Sequence, residues 1–309
     1  MNILVTGGCG FIGSNLANTL ARKGYTVHVI DNLSNGKLEN IKENINRIIF
    51  WKGDITDKNY VDNIISQVDV IYHLAAQISV TASIKDPLKD AAVNIFGTLN
   101  ILRAASNYRV KKVIYYSSAA VYGDPVYLPI DEKHPKNPSS PYGLSKLTAE
   151  KYAEFYSIFH GLNIVVIRPF NVYGPKQDPK SPYTGVISIF LDKALSGEDI
   201  QIYGDGGQCR DFIYVEDLVE LSIKALSAKT PQFTVLNGAC GEKTTIKSLA
   251  EKIKELTDSK SKIVHLPKRE GEIYESYADI TAAKQMLNFK PAYSLEEGLK
   301  KVIEYFKRE

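Results

Sequence analysis

Tyr142 and Lys146 stand four residues apart in SPYGLSKLTAEKY, the stretch from Ser140 to Tyr152. Pro141 suits a first helical position and Ser140 the cap before it, so a helix starting here carries both side chains on one face. An ammonium beside a phenol favours the phenolate and lowers its pKa. A phenol tuned in this way can take a proton from an alcohol, and return it, near neutral pH. The spacing by itself also suits plain surface or packing, so its meaning depends on the elements that position it.

Upstream, TGGCGFIGSN follows an apolar run and opens a helical pattern. Gly7, Gly10 and Gly13 give G-x-x-G-x-x-G, and Gly8, Gly10 and Gly13 give G-x-G-x-x-G. Glycines at these places allow a tight turn, close approach of a pyrophosphate and close helix–strand packing. The helix N-terminus adds free N–H groups and a positive dipole end. Asp31 ends the next strand-like run, about 20 residues on, where a carboxylate accepts from an adenosine ribose. It would repel a 2′-phosphate, so the expected cofactor is NAD and not NADP. GDITD puts Asp54 and Ile55 at the end of a third such run, where an adenine would lie. A simple turn for the glycines and a turn cap for Asp54 are the alternatives.

Around these motifs, strand-like and helix-like stretches alternate. NILVTG, TVHVID, RIIFWKGD, DVIYHLAA and KVIYYSS are rich in Val, Ile and aromatics. Helical spacing runs over Phe11 to Lys23, Lys58 to Gln67 and Pro87 to Tyr108. Near-continuous apolar strands between helices imply a parallel sheet covered on both faces. NIVVIRPF continues the series. Asn171 to Tyr183, with its prolines and glycine, suggests a loop; a helix over about Val186 to Ser196 follows, and FTVLNG suggests a late strand returning to the sheet. The fold class is therefore α/β, a Rossmann-type doubly wound parallel sheet with a smaller α/β C-terminal domain. The first domain spans 1–170, with later crossovers near 197–240, and the second takes 171–196 and 241–309.

Composition narrows the classes. The chain has 309 residues, 44% hydrophobic and 24% charged, with a formal net charge of +3. Near-balanced charge without a long basic run gives no reason to expect nucleic-acid binding. No apolar run approaches the roughly 18 residues of a membrane span, and the chain opens on a strand instead of a signal peptide. Cys9, Cys209 and Cys240 are scattered without metal spacing. A reducing cytoplasm and no metal site are the expectation.

TGGCGFIG, DNLS, GDITD, HLAAQ, SSAAVYG, PYGLSK, RPFNVYGP, GDGGQCRDFIYV and PKREGE occur in this order. The chain thereby resembles, over nearly its whole length, the nucleotide-sugar epimerases of the extended short-chain dehydrogenase/reductases. The resemblance implies that Tyr142 is the catalytic base and that Lys146 holds the nicotinamide ribose. It makes Ser118 the hydroxyl that hydrogen-bonds the reacting sugar oxygen. Besides Gly7, Gly10, Gly13, Asp31, Asp54 and Ile55, the implied NAD contacts are Phe11, Ile12, Asn32, Ala75, Ala76, Asn94, Ser117, Tyr142, Lys146 and Pro169. On the sugar-nucleotide side, Asn171, Arg210 and Arg269 would meet the diphosphate, since Arg forks suit phosphate. Glu272 would accept from the uridine ribose.

Within the family, 4,6-dehydratases carry an Asp-Glu pair after the active-site hydroxyl, and nucleotide-sugar decarboxylases tend to keep a Glu. Here Ala119 and Ala120 occupy those positions. Without a second acid–base group, elimination lacks its proton carrier, and 4-epimerisation of a UDP-hexose through a 4-keto sugar is expected. Four positions after Glu272, Ser276 matches a gate residue; a small side chain there leaves room for an N-acetyl group, so UDP-GlcNAc/UDP-GalNAc are expected beside UDP-Glc/UDP-Gal. The loop DPVYLPIDEKHPKNPSS is one residue shorter than in the best-known galactose epimerases, which bears on the sugar. A UDP-uronate epimerase, another enzyme of the fold, and a non-catalytic NAD-binding scaffold are the rival readings. The resemblance also implies a homodimer packed through the Tyr142 helix, with Leu144, Leu147, Phe155 and Phe159, and the long helix before it.

Overall fold

Runs of Ile, Val and Tyr account for the central sheet of the computed structural model, which describes residues 1–178, 185–269, 271 and 273–307. Its strands are β1 (Asn2–Thr6), β2 (Thr26–Asp31), β3 (Ile48–Lys52), β4 (Val70–His73), β5 (Lys112–Tyr116), β6 (Ile164–Pro169) and β7 (Phe233–Gly238). They lie in the order β7-β6-β5-β4-β1-β2-β3. From β3 to β6 every neighbour is parallel, with Ile3 opposite Val27 on one side and Val70 on the other. Ile3, Leu4 and Val5 are fully buried, as are Ile164 to Ile167, because helices cover both faces. The order reverses at β1, and a sheet of this kind receives ligands beyond the carboxyl ends of its strands at such a point.

Helix α1 (Phe11–Arg22) buries Leu16, Ala17, Leu20 and Ala21, the spacing of one apolar stripe. Helix α2 (Lys58–Ile65) is capped by Asp57, which accepts from the N–H groups of Asn59 and Tyr60. The expected single helix from Pro87 to Tyr108 is instead segmented. Helices α3 (Val80–Lys85) and α4 (Pro87–Ala91) lead into a π-helical turn over Ala92–Gly97, and α5 (Thr98–Asn107) continues. Long-range packing accompanies the wide turn: Gly97 lies so close to Ile55 that an added Cβ would sit 2.5 Å from its Cδ1. Such turns recur at functional sites.

Helix α6 (Pro141–His160) starts at Ser140, whose hydroxyl accepts from Gly143 N at 3.1 Å, and ends at Gly161 in the left-handed region. Its buried stripe is small or charged: Gly143, Ser145, Lys146, Ala149, Glu150, Ala153 and Ser157. Glu150 is paired with Arg168 of β6 through bonds of 2.9 and 2.6 Å, both side chains being almost completely buried.

The chain divides into two compact units. The first comprises Met1–Gly123, Pro135–Pro169 and Val219–Leu236; the second comprises Asp124–His134, Phe170–Leu218 and Asn237–Glu309. In the second, Cys209–Arg210 runs antiparallel to Thr244–Thr245 and parallel to Glu275–Ser276, while Ile200–Tyr203 pairs with Ile263–Leu266. Part of the stretch expected as a loop is a strand: Asn171–Tyr173 pairs in parallel with Phe212–Tyr214. Those partners are distant in sequence, so local turn residues did not reveal the pairing. Residues 179–183 of that stretch lie outside the described residues. Among the described residues, no helix is long and apolar enough to cross a membrane and no cluster of His, Cys, Asp or Glu could hold a metal ion.

Candidate active site

At the carboxyl end of β1 the chain turns through Gly7, in the left-handed region, and enters α1 at Phe11. A Cβ at Gly13 would lie 2.1 Å from Gly7 O, so the helix packs against the turn only because Gly13 has none. At Gly10 an added Cβ would meet nothing closer than Gly7 O at 3.3 Å, which leaves that side of the loop open. No side chain caps the helix at Gly10, and its first N–H groups remain available to an anion. Phe11 and Ile12 are half-buried beside this loop.

Asp31, at the end of β2, accepts from Cys9 N at 2.9 Å and Leu33 N at 2.8 Å. Burial raises its pKa while those two bonds oppose the rise. Asn32 donates to Asp54 at 2.7 Å, and Asp54 also accepts from Thr56 N, so Asp54 does cap a turn. Ile55 belongs to the core. Ala75 donates its N–H to Thr6 Oγ1 at 3.1 Å, and Ala76 follows half-buried. Pro169 closes β6. These residues fit a dinucleotide, and one observation favours a ligand directly: Ser117 Oγ is buried with no hydrogen-bond partner.

Ser118 follows, extended, and its hydroxyl accepts from Ala120 N at 3.1 Å in a single 3₁₀ turn over Ala119–Val121. Helix α6 approaches this turn closely because position 143 is glycine; a Cβ there would stand 2.6 Å from Ala120 O. The approach sets the Ser118 hydroxyl beside the Tyr142 phenol, whose pKa it lowers. Lys146, one turn later, is buried, donates to Tyr116 O at 2.5 Å and lies over the Tyr115 ring at 4.6 Å.

The titration of this pair departs from the simple expectation. Burial raises Tyr142, the Ser118 hydrogen bond lowers it, and Asp90 raises it further; Lys146 is not among the groups that shift it. The ammonium is turned to the Tyr116 carbonyl instead. Lys146 is itself lowered to about 7, by burial first, against the opposing charges of Glu150 and Asp90. His73, behind the pair, bonds Thr6 Oγ1 and Thr98 Oγ1 and is lowered to about 3, so it stays neutral.

Asn94 is buried in the π-helical turn. Its amide donates to Gln77 O, Asp90 Oδ1 and Ser145 Oγ and accepts from Gln77 N, so its capacity is used within the chain. Sequence reasoning missed Gln77, Asp90 and Glu150. The available signal was helical spacing: Asp90 precedes Asn94 by four, and Glu150 follows Lys146 by four.

The second unit contains the residues expected for the sugar nucleotide. Asn171 N and Nδ2 both donate to Asp211 O, at 3.1 and 3.0 Å. Arg210 donates to Cys209 O at 2.8 Å and lies opposite Ser276 in the register. Arg269 is exposed, its guanidinium 3.7 Å from the Tyr203 ring centroid. Glu272 lies outside the described residues. Asp211 is fully buried and accepts from Cys240 N, Gly241 N and Ala278 N at 2.8 to 3.2 Å.

A family model described as GDP-mannose 4,6 dehydratase matches residues 4–302. The chain belongs to this family of extended short-chain dehydrogenase/reductases. It is 42% identical over 307 residues to a putative UDP-glucose 4-epimerase of Methanocaldococcus jannaschii, covering 99% of this chain and 98% of that protein. It is 37% identical to a UDP-N-acetyl-alpha-D-glucosaminuronate decarboxylase of Bacillus cytotoxicus, with 98% and 97% covered. The structure of Thermotoga maritima UDP-glucose 4-epimerase with UDP-glucose superposes with a TM-score of 0.95 at 41% identity, over 100% of this chain and 99% of that one. Similar solved structures include complexes with NAD. The extended short-chain dehydrogenase/reductase described here is thus an enzyme of the nucleotide-sugar 4-epimerase/dehydratase type.

Proposed function

We propose that the chain is an NAD-dependent UDP-hexose 4-epimerase, acting on UDP-Glc/UDP-Gal and on UDP-GlcNAc/UDP-GalNAc. The observation that carries this reading is the Tyr142 phenol set beside Ser118 and buried Lys146, with alanine at positions 119 and 120. A dehydratase needs a further acid and base near that hydroxyl, and the 3₁₀ turn offers none. Tyr142 takes the proton of the sugar 4-hydroxyl, and Lys146 would hold the nicotinamide ribose of bound NAD. Ser118 orients the same oxygen. NAD, when bound, accepts and returns the hydride at C4, so the sugar passes through a 4-keto form. Tyr142 then gives the proton back to the oxygen of the opposite epimer.

Gly7, Gly10 and Gly13 leave room for the pyrophosphate of the cofactor, Asp31 takes its ribose hydroxyls, and Ser117 Oγ supplies a partner on the nicotinamide side. Asn171, Arg210, Arg269 and Glu272 hold the UDP portion of the substrate, and Ser276 leaves space for an N-acetyl group. A second reading, a UDP-uronate substrate, is supported by the similarity to a uronate decarboxylase.

Leu144, Phe155 and Phe159 on α6 are 56%, 45% and 70% exposed, with Phe96 at 63%. Leu147 is half-buried. This apolar face supports a homodimer, to be read by light scattering on the purified chain.

The test is proton NMR on purified protein with UDP-Gal or UDP-GalNAc and no added NAD. Conversion to the C4 epimers establishes a 4-epimerase with retained cofactor, and the relative rates test Ser276. No conversion of either, even with added NAD, refutes the assignment and makes UDP-glucuronate the next substrate.

A further inference from the structure

Few charges are buried in the first unit, and most are answered locally. Glu150 and Arg168 neutralise each other. Lys112 donates to the carbonyls of Ala225, Leu226 and Ala228 at 2.9 to 3.2 Å, and Asp31 accepts two backbone N–H groups. Two opposite charges remain, Asp90 at 1% exposure and Lys146 at 3%. Among the described residues neither forms an ion pair. Asp90 Oδ1 accepts only from neutral amides, Gln77 Nε2 at 2.9 Å and Asn94 Nδ2 at 3.1 Å. Lys146 meets only the Tyr116 carbonyl and the Tyr115 ring.

A hydrogen-bonded path joins the elements that carry these two charges. Asn94 Nδ2 donates to Ser145 Oγ at 3.1 Å, and Ser145, adjacent to Lys146, donates to Tyr142 O at 3.0 Å. Asp90 is therefore braced against the first turn of α6 through Asn94 and Ser145. A buried charge without a counter-charge is costly, and the ordinary outcome is loss of the charge.

We propose that Asp90 is a positioning residue and the counter-charge that keeps Lys146 protonated, setting the pH range over which Tyr142 and Lys146 work together. The inference rests on reading that pair as the proton-transfer site. The groups facing Tyr142 are the Ser118 hydroxyl, Asp90 from α4, and Ser83 of α3, which accepts from its backbone N–H. Those facing Lys146 are Tyr115 and Tyr116 of β5, neutral His73 of β4, Asp90, and Glu150 on its own helix, already paired with Arg168. Among them Asp90 is the one unanswered negative charge, and it favours the protonated form of both Tyr142 and Lys146.

Asp90→Asn keeps an oxygen for Gln77 and Asn94 and removes the charge. Both limbs of the kcat–pH profile, one for Tyr142 losing its proton and one for Lys146, are expected to move to lower pH by roughly one unit. D90S serves the same reading where D90N does not fold, and S145A, which cuts the brace but keeps the charges, is expected to lower kcat without moving the limbs. A profile lowered in height but fixed in position would overturn the counter-charge. A turnover-free readout separates this inference from the functional reading: NMR titration of ¹⁵N-labelled lysine, with the Lys146 signal assigned through K146R. A lower Lys146 pKa in D90N supports the proposal even if no UDP-sugar reacts; an unchanged one refutes it.

Discussion

Arg168→Met removes one half of the buried ion pair that joins β6 to α6. Arg168 Nε and Nη2 donate to Glu150 at 2.9 and 2.6 Å, Nη1 donates to the Tyr122 hydroxyl at 3.0 Å, and the guanidinium lies 4.9 Å from the Tyr122 ring centroid. With both partners about 3–4% exposed, the variant strands a carboxylate that water does not reach. Breaking one side of such a pair costs about 3–5 kcal/mol. Against the roughly 5–15 kcal/mol stability of a folded domain, that is a large share. Urea unfolding followed by circular dichroism at pH 7 is expected to show the midpoint falling accordingly with little change in slope. The double variant E150M/R168M replaces both charges with apolar groups and is expected to recover most of the loss. A loss below about 1 kcal/mol in R168M, or a double variant no more stable than R168M alone, would refute the reasoning, because neither result fits a desolvated pair.

Gly13→Ala places a methyl 2.1 Å from Gly7 O, so the phosphate turn must open, and the purified variant is expected to carry little or no NAD after heat release; full occupancy would contradict the cradle. Tyr142→Phe is expected to reduce kcat by about 10²–10⁴-fold, measured by coupled turnover of UDP-Gal, while leaving NAD content unchanged. For His73, the folded pKa of about 3 lies below the ordinary value of 6.5, so the unfolded chain takes up the proton first. Its contribution is complete above about pH 6.5 and falls by up to about 1.4 kcal/mol per pH unit on acidification toward about 3. H73Q is expected to flatten the decline of urea midpoints between pH 7 and 5, and equal slopes in both proteins would refute this.

Much of this molecule was legible in its residue order. The Val- and Ile-rich runs became parallel strands because burial on both faces leaves no polar alternation to confuse them, as in Ile3 to Val5. The glycine spacing and the Ser140 cap are local devices, and each reads directly from neighbours in the chain. The π-helical turn does not, since Gly97 meets Ile55 and Asn94 meets Gln77 only after folding. Asp90 looked like any polar position on a helix; its burial is set by Gln77 and Asn94. Likewise, the Tyr142–Lys146 spacing said they share a face, but not that the ammonium would turn to the Tyr116 carbonyl. The short Asn171–Tyr173 strand was hidden because its partner is remote in sequence.

Helix α6 has two faces under unlike rules. Inward, the fully buried positions are glycine, serine and alanine besides Lys146 and Glu150, and one methyl at Gly143 would press on Ala120 O. Outward, Leu144, Tyr152, Phe155, Ile158 and Phe159 stand in the open. Variation along this helix can therefore change what the protein adheres to without disturbing where its protons go. The same rod lets surface stickiness drift while its inner face stays fixed.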